Sequence, residues 1–218
     1  MATPRKKYKI RDGERTYREL LGAIGELLLT HGYTGLKVNK VARHTGKDKS
    51  TIRYHFGSLN DLVKAYVREK DHWTPFFERF RPEDINDKAG VQKLFTELMQ
   101  ENFRSFLVNP EMQKLILWQI SEDNPLMRSI SDNREAQGAE LLAKASPYFV
   151  PAGISFKAVT GLLLGGIYYF VLHASANKST VCGIDVNQAS DRETVLKTIG
   201  QIIEWAFAAT GPNEKQSS

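Results

Sequence analysis

The chain has 218 residues, 41% of them hydrophobic and 25% charged, a composition typical of a folded protein of one or two domains. Its single cysteine, Cys182, excludes an intrachain disulfide and favours a reducing compartment. The N-terminal residues lack the apolar stretch of a secretory signal, and the apolar run 158–176 is interrupted by three glycines and a histidine. Since a bilayer span needs about 20 apolar residues, we predict a buried helix there, no membrane association and a cytoplasmic location.

Positive charge is concentrated in the N-terminal third. Residues 1–70 contain 16 Lys and Arg against 7 Asp and Glu, whereas the rest of the chain contains 14 against 18. A basic module joined to a slightly acidic body is typical of proteins that bind a polyanion. The same asymmetry also occurs on solvated surfaces without functional consequence, so the charge alone leaves both interpretations open.

Apolar residues at helical spacing dominate the chain from residue 16 onward. Before them, residues 1–12 form a basic segment for which we predict a flexible arm. Thr16 begins a capping box, and Gly32 is suited to end the first helix. The apolar face of this helix consists of Tyr17, Leu20, Leu21, Ile24, Leu27 and Leu28.

Residues 32–62 predict a helix-turn-helix. A short helix ends at Gly46, where the chain can reverse direction at little cost, and Asp48 can cap a second short helix. In the second helix Ile52 and Phe56 are four residues apart, so both can pack inward.

The outward face of the second helix carries hydroxyls, a phenol, an imidazole and cations. At 100° per residue this face consists of Lys47, Ser50, Thr51 and Tyr54, with Arg53 and His55 on its flanks. Such a helix fits the DNA major groove, where these groups address base edges and phosphates. A polar surface helix of an unrelated bundle has the same composition, and the pattern by itself leaves that alternative open.

The order, spacing and type of the residues over about 16–66 resemble the tetracycline-repressor (TetR) family of transcription regulators. The matching residues are Gly32, Tyr33, Val38, Val41, Ala42, Thr45, Gly46, the run from Lys49 to Phe56, and Leu62. The resemblance implies a three-helix DNA-binding domain, a fourth connecting helix, and a ligand-binding domain that dimerises through its last two long helices. It also implies that positions 50, 51 and 53 meet base edges, and that Lys49, Tyr54 and His55 mostly hold phosphates.

Three departures from the family pattern alter the expected DNA contacts. Leu36-Lys37 stands where the family usually has two threonines, so the ammonium of Lys37 takes the place of a hydroxyl at the phosphate. Arg53 stands where tyrosine is usual, and we predict that it reads a guanine through two hydrogen bonds, worth about 1–3 kcal/mol of discrimination. Leu59 stands where lysine is frequent, so the fourth helix is expected to touch DNA through its N-terminal amides. The predicted DNA-binding residues are Lys37, Lys47, Lys49, Ser50, Thr51, Arg53, Tyr54 and His55.

The chain as a whole predicts an all-α fold, with an N-terminal three-helix helix-turn-helix domain and a larger helical ligand-binding and dimerisation domain. Prolines and a loop at 178–190 separate the later helices, which are predicted at 89–108, 110–121, 124–146, 155–177 and 191–210. The predicted boundaries are a flexible basic arm at 1–12, the DNA-binding domain with its connecting helix at 13–73, the ligand-binding and dimerisation domain at 76–210, and a disordered tail at 211–218.

Aromatic and sulfur-containing side chains recur in the second domain. Such stripes form core by default, but together with a few polar groups they can line an apolar cavity. We predict a small, partly hydrophobic effector whose identity the sequence does not specify. Its predicted contacts are Met99, Phe103, Trp118, Met127 and Tyr168.

The last two long helices have the features of a dimer interface. Small residues at four-residue spacing allow another helix to approach closely, and the final helix has a continuous apolar face. The predicted interface residues are Gly161, Gly165, Ile199, Ile202, Ile203 and Ala206. A two-fold homodimer would read an inverted-repeat operator; the alternative is that both helices are intrachain core.

Together with the family resemblance, which favours repression, these observations predict a bacterial, ligand-responsive transcription regulator that leaves double-stranded DNA when its effector binds, with no cofactor or metal. A constitutive architectural DNA-binding protein and an enzyme are the alternatives. The five histidines are scattered without HExxH spacing, and no GxSxG, P-loop or GxGxxG motif is present.

Overall fold

The computed structural model describes the backbone of residues 5–70, 85 and 87–211, and the side chains of these residues from residue 12 onward. Within these ranges the chain contains nine α-helices, one 3-10 turn and no strand, which confirms the predicted all-α fold. The elements are α1 (Arg5–His31), a 3-10 turn (Tyr33–Gly35), α2 (Val38–Thr45), α3 (Lys49–Phe56), α4 (Leu59–Lys70), α5 (Lys88–Leu107), α6 (Pro110–Ser121), α7 (Pro125–Phe149), α8 (Phe156–Asn177) and α9 (Ala189–Ala208).

The helices form two compact units. Unit 1 comprises residues 1–71 and 110–130, and unit 2 comprises residues 72–109 and 131–218. Residues 110–130, which the predicted boundaries place in the ligand-binding domain, therefore group with the N-terminal helices. The predicted domain boundary at residues 73–76 and most of the predicted tail lie outside the described residues.

The first helix is longer than the sequence predicts. Thr16 was expected to start it after a flexible arm, but α1 begins at Arg5, so the arm is helical from that residue onward. Residues 5–15 contain no proline, and Gly13 alone costs about 1 kcal/mol relative to alanine. An ion pair one turn apart, from Arg18 to Glu14 at 2.8 Å, favours the helical state. A capping box can begin a helix but does not prevent an earlier start.

The core of unit 1 is built from the predicted apolar stripe of α1 and from α4. Both helices contact each other and α6, and α2 packs on α1. Tyr17, a member of the predicted stripe, is 37% exposed and lies outside this core. The buried side chains include Leu20, Leu21, Ala23, Ile24, Leu27 and Leu28 from α1, Val41 from α2, Ile52 from α3, and Leu62, Val63, Tyr66 and Val67 from α4. These residues hold the short helices α2 and α3, which are too short to be stable alone.

Helix α6 is joined to the N-terminal helices by specific side-chain contacts. The Trp118 ring stacks on Tyr33 of the 3-10 turn, with ring centroids 5.6 Å apart and planes 6° from parallel. At the other end of α6, Glu111 lies 3.2 Å from Lys70 at the end of α4. Because α4 follows α3 directly, α6 contacts the helix that supports α3.

In unit 2, α5 packs against α8 and α9. An aromatic cluster forms its core, where the Phe149 ring stacks on Phe156 at 4.3 Å and Phe207 meets both rings edge-on. Such pairs contribute about 0.5–1.5 kcal/mol each beyond the burial of their area. The cluster explains why α7 continues to Phe149 instead of ending before Pro147 as predicted. Phe149 is 1% exposed, and its anchorage offsets the single donor that Pro147 removes.

Candidate DNA-binding surface

The turn between α2 and α3 has the geometry that the sequence predicts. Gly46 adopts φ 65° and ψ 17°, the left-handed region, and its amide donates to the Ala42 carbonyl at the end of α2. Asp48 then caps α3, because its carboxylate accepts a hydrogen bond from the Ser50 amide at 2.7 Å. This hydrogen bond lowers the pKa of Asp48 below its ordinary value. Gly57, with φ 82°, ends α3.

One face of α3 is buried and the opposite face is open. Ile52 is 2% exposed, whereas Tyr54 is 85% exposed. Ser50, Thr51, Arg53 and Tyr54 line a shallow depression of about 530 Å³. Lys49 and Arg53 are exposed and form no ion pair with any residue that the structure describes. Their charges are therefore directed to solvent beside the depression.

Lys47, a predicted DNA contact, is held differently from Lys49. Its Nζ lies 3.0 Å from Glu19 on α1, and only 29% of its side chain is exposed. The other oxygen of the Glu19 carboxylate accepts a 2.8 Å hydrogen bond from Arg15. Hydrogen bonds from Arg15 and then from Lys47 lower the pKa of Glu19. Nothing in the local sequence around Lys47 indicates this pairing.

Two other predicted DNA contacts are Lys37, at the start of α2, and His55, on α3. Lys37 is the exposed N-cap of α2, in extended conformation, and it makes no side-chain capping bond, in keeping with the missing threonines. His55 is half-buried and follows Tyr54, whose ring it meets edge-on at 5.1 Å. At the end of α3, Phe56 stacks on Tyr17 of α1 at 4.6 Å, a contact that joins α1 to the helix-turn-helix.

The predicted effector contacts fall in both units. Met99 and Phe103 are buried on α5 in unit 2, and Tyr168 of the same unit is half-buried with its ring 4.6 Å from Phe106. Trp118 and Met127 are buried in unit 1. The Trp118 indole Nε1 is buried with no hydrogen-bond acceptor among the described residues.

The predicted dimer residues divide into a buried and an open set. Ile199 and Ile203 are 3% and 0% exposed within the single chain, so Ile203 faces its own core. Gly161 and Gly165 are exposed on α8, and a Cβ added to either would meet no atom within 4 Å. Ile202 and Ala206 are half-buried. Among the described residues of their own chain, the two glycines thus have no close neighbour that requires the absence of a side chain.

An apolar groove runs between α8 and α9, and the sequence prediction missed most of it. It encloses about 480 Å³ and is lined by Val159, Leu162, Leu163, Gly166, Ile167, Phe170, Ile184, Thr194, Val195, Thr198, Ile199 and Ile202. On its rim Leu162 is 80% exposed. Helix α8 is long and apolar enough to cross a membrane, and only 28% of its most apolar window is buried in the single chain. The predicted burial of this helix is therefore incomplete in one copy.

Neither a protein-family model nor a curated protein matches the chain. Solved structures do match. The transcriptional regulator FadR from Bacillus subtilis, in complex with stearoyl-CoA, superposes with a TM-score of 0.59 at 17% identity, over 88% of this chain and 98% of that one. The fatty acid degradation regulator FadR from Bacillus halodurans gives 0.59 at 18% identity, over 91% and 96% of the two chains.

A third structure, which addresses the control of antibiotic production by bacterial hormones, gives a TM-score of 0.53 at 21% identity, over 89% of this chain and 97% of that one. The chain therefore has the fold of the TetR-family transcription regulators, as the sequence resemblance predicts.

Proposed function

We propose that the chain is a DNA-binding transcription regulator controlled by a small ligand. The observation that carries the proposal is the open face of α3, where Ser50, Arg53 and Tyr54 surround a depression while Ile52 anchors the helix in the core. A capped, outward-facing helix after a tight turn is the geometry that major-groove recognition requires. The fold shared with FadR regulators over nearly the whole chain supports the same function.

The contacts divide into two kinds. Ser50, Thr51 and Arg53 lie where a helix in the major groove meets base edges, and the fork of Arg53 suits a guanine. Lys37 and Lys49, together with Tyr54 and His55 on the flanks, hold phosphates, which fixes the register without reading sequence.

Selection of bound sequences from a random pool of duplexes tests the proposal. We expect an enriched inverted repeat whose half-sites are separated by about 34 Å or a multiple of it. Arg53→Ala should change the enriched sequence at one position of each half-site. Lys93→Ala removes an exposed cation from α5 and should change nothing. A pool that shows no enrichment after selection would refute sequence-specific binding.

We further propose that two copies associate through α8 and α9. The groove between these helices is apolar and open, and the exposed Gly161 and Gly165 leave room for the backbone of a second helix. Burial of this face by a second copy also accounts for an apolar helix that its own chain covers only in part. The interface residues proposed now are Gly161, Gly165, Ile202 and Ala206 with the groove side chains, while Ile203 serves the intrachain core.

Sedimentation of two matched variants tests this interface. Leu162→Arg places a charge on the groove rim, and Val150→Arg places one at a residue of similar exposure, 73% against 80%, that does not line the groove. An unpaired buried charge costs about 3–5 kcal/mol, so Leu162→Arg should weaken the dimer more than 100-fold, whereas Val150→Arg should sediment as wild type. A monomeric wild-type chain, or two variants that behave alike, would contradict the proposed interface.

The effector that we propose is small and partly hydrophobic. FadR from Bacillus subtilis was solved with stearoyl-CoA, and we propose that the hydrophobic part of the effector contacts the apolar side chains Met99 and Phe103, which are buried in unit 2. Titration of the protein–operator complex with stearoyl-CoA and shorter acyl-CoAs, with free CoA as control, tests this class of ligand. Release by acyl-CoA and not by CoA is the expected result. Unchanged operator affinity throughout would exclude acyl-CoA compounds.

A repressor in the cytoplasm is the role that the family resemblance favours. Within unit 1, α4 packs against both α3, the proposed recognition helix, and α6, so displacement of α6 by a ligand would shift the support of α3. A coupling of about 1–3 kcal/mol is enough to change operator affinity 5- to 150-fold. A reporter placed behind the selected operator should be silenced by the protein, and increased expression instead would indicate an activator.

A further inference from the structure

Two side chains of α1 hold the two ends of the recognition helix. Glu19 lies 3.0 Å from Lys47, which directly precedes the Asp48 cap of α3. Tyr17 stacks on Phe56, the last residue of α3, with ring centroids 4.6 Å apart and planes at 23°. The backbone of α3 packs mainly on α2 and α4, so these contacts add a third support. Neither Tyr17 nor Glu19 is among the predicted DNA-binding residues.

Helix geometry explains how one helix reaches both ends of another. Residues two apart on a helix differ by about 200° in direction, so Tyr17 and Glu19 project to opposite flanks of α1. Helix α3 has 8 residues and is about 12 Å long at 1.5 Å per residue. Tyr17 on one flank of α1 therefore reaches the C-terminal end of α3, and Glu19 on the other flank reaches Lys47 before its N-terminal end.

The ion pair of Lys47 indicates that this lysine positions α3 and does not contact DNA. Its ammonium is engaged by Glu19, and Arg15 holds the same carboxylate from the other side, which limits the freedom of Glu19 to turn away. Lys49, two residues later, is exposed and has no ion-pair partner among the described residues. The two lysines therefore have different surroundings although only Asp48 separates them in the sequence.

We infer that Tyr17 and Glu19 are positioning residues that set how sharply the recognition helix discriminates between DNA sequences, and that Lys47 acts through Glu19 and not as a phosphate contact. The inference rests on the proposed DNA-binding function. A helix held at both ends presents its base-reading side chains at a fixed depth and angle, and loss of either support affects base contacts more than phosphate contacts.

The test is the ratio of affinities for the selected operator and for a random duplex, measured by fluorescence anisotropy at several salt concentrations. Lys47→Met and Glu19→Gln should each lower this ratio about 2- to 5-fold, because an exposed ion pair contributes a free energy that corresponds to a change of this size. Lys47→Met should leave the salt dependence unchanged. Lys49→Met, the matched control, should weaken binding to both duplexes alike and reduce the log–log salt slope by about 0.9.

Charge reversal separates a support from a DNA contact. The double variant Glu19→Lys with Lys47→Glu restores an ion pair between these two positions at the same net charge. It is made in an Arg15→Gln background, because Arg15 would otherwise repel a lysine at position 19, and it should restore the ratio to that of Arg15→Gln alone. At the other end, Tyr17→Ala should lower the ratio about 2- to 10-fold, because the aromatic stack is lost. Tyr17→Phe keeps the ring and should behave as wild type. Helicity measured by circular dichroism identifies any variant that fails to fold. If one does, the charge-reversal variant and Tyr17→Phe still test the inference, because both keep the contact that they probe.

Several results would overturn the inference. If Lys47→Met reduced the salt slope as Lys49→Met does, Lys47 would be a phosphate contact. If Lys47→Met, Glu19→Gln and Tyr17→Ala all left the ratio unchanged, α1 would not position α3. A wild-type protein without preference for any duplex would instead refute the proposed function itself, so the two failures are distinguishable.

Discussion

Two alanine substitutions in α1, three residues apart, should shift stability by different amounts. A Cβ at Gly25 would lie 2.9 Å from the Tyr66 hydroxyl and 3.0 Å from Glu111 Oε1, whereas a Cβ at Gly22 would meet nothing within 4 Å. Real Cβ atoms do not approach other heavy atoms at 2.9 Å, so Gly25→Ala requires Tyr66 or Glu111 to move. Tyr66 is 1% exposed and has little space to do so.

The magnitudes follow from two opposing effects. Replacing glycine by alanine inside a helix contributes about 1 kcal/mol, and Gly22→Ala should gain this amount in full. Gly25→Ala gains the same but loses about 1–3 kcal/mol to overpacking. We therefore expect the free energies of unfolding of the two variants to differ by about 1–3 kcal/mol, with Gly25→Ala the less stable.

Urea unfolding followed by far-UV circular dichroism measures this difference directly. Burial raises the pKa of the Tyr66 phenol above its ordinary value of 10.0, so the ring stays neutral and the difference should not depend on pH near neutrality. If Gly25→Ala were as stabilising as Gly22→Ala, the side chains of α4 and α6 would yield freely at this point. The close packing of α1 against both helices would then not be rigid, and the proposed transmission from α6 to α3 would lose its basis.

Three further predictions concern DNA binding and the cap of α3. Arg53→Ala should reduce operator affinity by about 1–3 kcal/mol and relax the preference at one base position; equal weakening for all operator variants in a competition assay would make Arg53 a phosphate contact. Deletion of residues 1–11 should reduce the log–log salt slope by about 0.9 for each phosphate that this basic segment neutralises, and an unchanged slope would show that it does not touch DNA. Asp48→Ala should destabilise the chain at neutral pH, because the lowered pKa of Asp48 means that its stabilisation is present above the unfolded value of 3.8 and is lost as the pH falls through the folded value. The difference in urea midpoint between Asp48→Ala and wild type should therefore shrink in acid, and a constant difference would contradict the cap.

The elements that the sequence predicts correctly are those with local causes. The turn at Gly46, the cap at Asp48 and the buried face at Ile52 depend only on residues close by in the sequence. All three features could therefore be predicted from the local sequence. The starts of two later helices are likewise marked locally, because Pro110 and Pro125 are each the first residue of a helix.

The features that the sequence does not predict depend on residues far apart in the chain. The Glu19–Lys47 pair joins α1 to the turn before α3, and no local pattern marks it. The grouping of α6 with unit 1 depends on long-range contacts such as that of Trp118 with Tyr33. A domain boundary predicted from the positions of prolines takes no account of such contacts. Ile203 and Leu162 are both apolar residues in helices with a broad apolar surface, so periodicity alone could not separate the core residue from the exposed one.

The most direct test of the DNA-binding proposal is a competition titration with the purified protein. The selected operator and a scrambled duplex of the same length and composition are compared at about 0.15 M salt, where non-specific binding is weak. The proposal predicts a preference of at least about 10³-fold for the operator, and a loss of most of that preference when Ser50, Thr51 and Arg53 are replaced together by alanine. Equal affinity for the two duplexes, or a preference that survives these three substitutions, would contradict the assignment of the α3 face as the DNA-reading surface.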